Sequence, residues 1–141
     1  MNLVLDECIL NKKLRKRFNE TEGYDFLTCF DVGYNSGDED EILIEKATKV
    51  NRLVLTIDFR TITEDKFPPC NDSGILQFDR NKITPEYIIP RLEALRVLKI
   101  EDKAVGHFTY FTDDGIKIVT HKETIERKFD DYEELRDIER G

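Results

Sequence analysis

Hydrophobic positions along the chain fall into two kinds of run, continuous and four-spaced. Leu3-Val4-Leu5 is continuous and stops at Asp6-Glu7, the pattern of a strand buried on both faces of a parallel sheet. Leu10, Leu14 and Phe18 then recur at spacing four and mark one face of a helix that Gly23 is suited to end. Lys12, Lys13, Arg15, Lys16 and Arg17 occupy the other faces of that helix. Residues 24–30 read as a second strand. A polar loop carrying Gly33, Asn35, Ser36 and Gly37 leads into Asp38-Glu39-Asp40-Glu41, and Leu43, Ala47 and Val50 place a second helix in or just after this acid run. Residues 53–57, apolar and partly β-branched, form the clearest strand of all, and it too ends at an aspartate, Asp58.

The stretch 59–73, with Pro68-Pro69, reads as a long loop, and 74–78 as a fourth short strand. Thr84-Pro85 is a helix start, an N-cap followed by proline at the first helical position. Ile88, Leu92 and Leu95 continue at helical spacing, and Pro90 is expected to kink or delay that helix. Asp113-Asp114-Gly115 between two apolar runs, 105–112 and 116–120, signals a hairpin. Strands alternating with helices imply one α/β domain, a mostly parallel sheet with helices on both faces and an antiparallel hairpin at its end.

Composition narrows the function classes. Of 141 residues, 30 are acidic and 22 are Lys or Arg, a formal net charge of −8 that argues against a general coat for nucleic acid. Four of the excess negatives fall in residues 123–141, which hold eight acids and four bases and read as a charged tail, helical or disordered. No apolar run reaches the roughly 18 residues of a membrane span, and the acidic pair inside the first apolar stretch does not suit a secretory signal. The expectation is a cytoplasmic protein. Cys8, Cys29 and Cys70 are too widely spaced for a zinc ribbon or a disulfide framework. Neither His107 nor His121 has a nucleophile pattern nearby, and no phosphate-binding glycine loop occurs.

The chemistry gathers at one sheet edge. Ligands of open α/β sheets bind beyond the carboxyl ends of the strands. Asp6 follows the first strand, Asp58 the third, and the run 38–41 opens the helix that leaves the second. Carboxylates meeting there would repel, and a hard divalent cation, Mg²⁺ or Mn²⁺, relieves that repulsion and can activate water at a phosphodiester. Bland readings stand beside this one. Asp38 with Glu41 fits a capping box, and an aspartate after a strand is often a turn former. Glu7 is the weaker member of its pair, since neighbours at a strand end point apart. The basic run 12–17 is either a solvated helix face or a contact for a phosphate backbone.

LVLDECI resembles the first-strand motif of small PIN-like proteins, an apolar run followed by Asp-Glu-Asn. GDEDEILIEKATKVNRLVLTID resembles their acid-opened helix and the strand that ends in Thr-x-Asp. The resemblance spans residues 1–120 and is closest to the PIN-like proteins grouped with VapC-type toxins. It implies a three-layer PIN-like domain over 1–121, a tail over 122–141, and a Mg²⁺- or Mn²⁺-dependent endoribonuclease, the toxin half of a toxin–antitoxin pair in many members. Carried over by position, Asp6 is the first-strand metal ligand, Glu41 or Asp40 the acid opening the second helix, and Asp58 the acid of Thr-x-Asp. Asp6, Glu41 and Asp58 would be catalytic, and Lys12, Lys13, Arg15, Lys16 and Arg60 would contact RNA. Two departures stand out. Cys8 replaces the usual asparagine, and Arg60 stands where a second aspartate is usual. An antitoxin protein and a homodimer that pairs two basic helices are the partners this reading expects. The rival readings are a non-catalytic PIN-like binding module and a receiver domain with Asp58 as phospho-acceptor. The receiver needs a lysine after a late strand, and Asp79-Arg80 follows 74–78 instead.

Overall fold

The computed structural model describes residues 1–57, 72–79 and 81–130. The strands are β1 (Asn2–Leu5), β2 (Asp25–Thr28), β3 (Leu53–Thr56), β4 (Ile75–Gln77), β5 (Phe108–Phe111), β6 (Gly115–Val119) and β7 (Thr124–Lys128). The helices are α1 (Lys12–Glu20), α2 (Asp40–Lys49), α3 (Pro85–Val97) and the single turn α4 (Glu101–Ala104). Among the described residues, seven strands form one open sheet in the order β2-β1-β3-β4-β5-β6-β7. Pairings from β2 to β5 are parallel, and those of β5 with β6 and β6 with β7 are antiparallel. The expected α/β class and mostly parallel sheet are therefore present.

Strand alternation sends successive residues to opposite faces. Leu3, Leu5, Leu53, Leu55 and Leu76 share one buried cluster with Leu14 and Phe18 of α1 and with Ile88, Leu92 and Leu95 of α3. Val4, Val54, Ile75 and Phe108 share the other with Leu43, Ile44 and Ala47 of α2. The continuous apolar runs have that cause: both sides of each central strand are covered. Burying each Leu, Ile or Phe stabilises the fold by about 1.5–3 kcal/mol.

Local signals set the helix starts. The Asn11 side chain accepts hydrogen bonds from the backbone N–H of Lys13 at 2.8 Å and Leu14 at 3.2 Å, capping α1. Thr84 caps α3 through Tyr87 N–H at 3.2 Å, with Pro85 at the first helical position. Gly74, at φ +119°, lets β4 begin against α4, because a Cβ there would lie 2.5 Å from the Ala104 carbonyl oxygen.

Three expectations change. Pro90 does not delay α3, which runs unbroken through it; buried Ile88, Leu92 and Leu95 hold both halves of the helix on the sheet. The capping box does not form. Glu39 is the N-cap of α2 without a side-chain bond, and Asp38 Oδ2 accepts instead from Asn35 N–H at 2.8 Å. Residues 124–128, expected in the tail, form β7 and widen the hairpin to three strands. Ile125, opposite Ile118, is the only buried side chain of β7, so an edge strand with four exposed residues shows no apolar alternation. The 59–73 loop, beyond residues 72 and 73, and the tail from 131 onward lie outside the described residues.

Candidate metal centre

The chain leaves β1 toward β2 on one side and returns through β3 to β4 and β5 on the other. The order reverses between β1 and β3, and in such sheets the crevice beyond the strands' carboxyl ends at this point receives ligands. Asp6 is the first residue past β1, anchored there by its N–H to the Leu55 carbonyl at 3.0 Å. It is 6% exposed.

Both carboxylate oxygens of Asp6 are held. Oδ1 accepts from Glu7 N–H at 2.7 Å. Oδ2 accepts from Thr56 Oγ1 at 2.7 Å and from Cys8 Sγ at 3.4 Å. Burial pushes this carboxyl above its usual range, more than the three hydrogen bonds lower it, and the charge of Asp40 raises it further. Cys8 is exposed as a residue, yet its sulfur turns toward Asp6 and Thr56. Burial and then the Asp6 charge push its thiol up to about 11. Cys29 is pushed to about 11 and Tyr34 to about 12, by burial first and then by the charges of Asp6 and Glu7, with Asp40 acting on Tyr34 as well. Four groups thus register one negative field at the sheet edge.

The loop before α2 is tied to this edge. Ser36 Oγ donates to Glu7 Oε1 at 2.7 Å, and Tyr34 OH donates to the Asp38 carbonyl at 2.9 Å. Those bonds set the register at which α2 begins, with Asp40 in its first turn. Of the acid run, Asp40 is the residue whose charge weighs on Asp6. Glu41 follows it, half-buried, in the same turn. Glu7 is exposed at the rim while Asp6 points inward, as neighbours at a strand end should.

Among the described residues, no group of three or more His, Cys, Asp or Glu side chains is gathered to hold a metal ion. Asp58 and Arg60 lie outside the described residues. The donor chemistry at Asp6 fits a hard cation. It is a desolvated carboxylate, it pairs with no Lys or Arg among the described residues, and a second carboxylate raises its proton affinity.

The basic run lies on α1, which starts six residues after Asp6. Lys12 and Lys13 are exposed on its first turn. Lys16 pairs with Glu20 at 3.9 Å and Arg17 with Glu86 at 3.7 Å, both on the surface and both weak. Arg15 is half-buried, its Nε enclosed without a hydrogen-bond partner among the described residues.

Two residues of the site, Tyr34 and Ser36, were given no role from the sequence, and Thr56 entered there only as the threonine of Thr-x-Asp. A signal existed for Thr56, a hydroxyl set two residues before Asp58 in an otherwise apolar strand. Tyr34 and Ser36 sit in a polar loop where nothing marks them. Among the described residues, no helix is long and apolar enough to cross a membrane. The chain matches no family model, no curated protein and no solved structure.

Proposed function

We propose that the chain is a PIN-like, three-layer endoribonuclease that works with Mg²⁺ or Mn²⁺ at the carboxyl edge of β1 and β3. The observation that carries this reading is Asp6, a buried carboxylate at the reversal point of the sheet, under the field of a second acid and with no cation paired to it among the described residues. Asp6 and Asp40 would hold the ion, joined by Asp58 and with Glu41 next in line on α2. A bound ion of this kind supplies charge neutralisation and an activated water for phosphodiester hydrolysis.

The residues of the chain do the positioning. Thr56 Oγ1 and Glu7 N–H fix the two oxygens of Asp6, so a ligand set need not be ordered when substrate arrives. Lys12 and Lys13, exposed on the first turn of α1, are the groups free to meet a phosphate backbone. Cys8, with its thiol at about 11, stays protonated at neutral pH and acts as a hydrogen-bond donor to Asp6, the role asparagine's amide can fill in the motif this segment resembles.

The test is cleavage of a single-stranded RNA with Mn²⁺ or Mg²⁺ present. Wild type is expected to cut, and Asp6→Asn to lose more than the roughly 10–100-fold that outer-shell changes cost. Equal cleavage by both proteins, or none by either, overturns the enzyme reading and leaves a PIN-like binding module in its place.

A further inference from the structure

Asp6, Thr56 and Gln77 each lie two residues beyond an apolar neighbour, Val4, Val54 and Ile75, that packs beneath α2. Strand alternation therefore puts all three on the same face of the sheet. The Asp6 N–H bonds Leu55, Thr56 pairs in register with Gln77, and the three form a polar row across β1, β3 and β4 at the carboxyl edge. The first two members are hydrogen-bonded to each other. The third is unmatched: Gln77 is 0% exposed, and among the described residues neither its Oε1 nor its Nε2 has a hydrogen-bond partner.

A buried carboxamide with both ends unmatched is rare, and a water or ion bound at the site is one explanation for it. Two strand spacings, roughly 10 Å, separate the backbones of Asp6 and Gln77. At that spacing the Gln77 side chain is within reach of the water shell around a small cation held at Asp6. Mg²⁺ in particular keeps several of its waters, and each outward O–H needs an acceptor.

We propose that Gln77 is a positioning residue of the cation site, its Oε1 accepting a hydrogen bond from a water bound to the ion held at Asp6. The proposal rests on the metal-dependent reading above. In this role Gln77 would contact the ion's waters and hold their orientation. Its Nε2 is left to donate to a second water of that shell. A carboxamide kept only for the fold would make no difference to metal affinity.

The experiment is calorimetric titration of Mn²⁺ into the full chain without RNA, for wild type, Gln77→Leu and Gln77→Glu, with thermal unfolding of each in the absence of metal. Gln77→Leu is expected to melt at or above wild type, since it removes an unmatched buried amide, yet to bind Mn²⁺ about 10-fold or more weakly. Gln77→Glu keeps an acceptor at the same reach and should restore most of the affinity. Mn²⁺ affinity of Gln77→Leu equal to wild type overturns the role of Gln77 and leaves the metal site standing. Absence of Mn²⁺ binding by wild type overturns both. A measurement on wild type alone guards against a variant that fails to fold: the side-chain amide signals of Gln77 in a ¹⁵N spectrum should shift when Mg²⁺ is added, and signals that stay in place contradict the proposal.

Discussion

Asp6 carries two opposed demands, one from folding and one from chemistry. Burial raises its folded-state pKa above the ordinary 3.8. The folded chain then holds the proton more tightly than the unfolded one, so the stabilising contribution is complete below the ordinary value and is lost as pH rises through the raised one. At neutral pH the ionised carboxylate is a local cost. Asp6→Asn keeps an acceptor for Glu7 N–H and lets the Thr56 hydroxyl turn to accept. Its Tm at pH 7 without metal should exceed that of wild type by about 2–4 °C, the effect of roughly 1 kcal/mol in a chain of this size. The gain should shrink toward pH 4, and an equal or lower Tm at pH 7 contradicts the burial argument. Asp6 was legible in the sequence because an acid closing an apolar run is a sharp boundary. Gln77 was not, since one polar residue inside a short apolar strand says nothing about what it faces. The run 38–41 announced an acid at the helix start, and which one reaches Asp6 depended on bonds from Tyr34, Ser36 and Asp38 that no spacing encodes.

Elements with four-spaced or continuous apolar runs were readable, because a covered face leaves its period in the sequence. The start of α3 was announced by Thr84 and Pro85, whereas the Asn11 cap of α1 is visible only in the fold. The strand β7 escaped because an edge strand buries one residue and shows its charges to water. It is nonetheless part of the core: Ile125 belongs to the cluster under α1 and α3. Ile125→Ala should cost about 2–3 kcal/mol in denaturant unfolding, within the range for truncating a buried isoleucine. Its exposed neighbour Glu126, changed to Ala, should stay within about 0.5 kcal/mol. Equal effects of the two would mean that β7 is not packed as described. The helix α3 teaches the converse lesson, since Pro90 breaks a local rule and tertiary burial on both sides overrides it.

Across the whole molecule, a net charge of −8 argues against nucleic acid until its distribution is seen. Part of it lies in residues 123–141, and another part, Asp6, Glu7 and Asp40, sits where the strand order reverses and bears on the Tyr34 phenol. Lys12 and Lys13 stand at the start of the helix that leaves this edge. An acidic sheet edge beside a basic helix end suits a cation that bridges protein and phosphate. The central claim is that this edge binds such a cation through Asp6. It is tested most directly by calorimetric titration of Mn²⁺ into wild type and Asp6→Asn. Wild type should bind the ion, and Asp6→Asn, folded and thermally no weaker, should bind it at least about 100-fold more weakly. Equal affinity in the two proteins, or no binding by wild type, contradicts it.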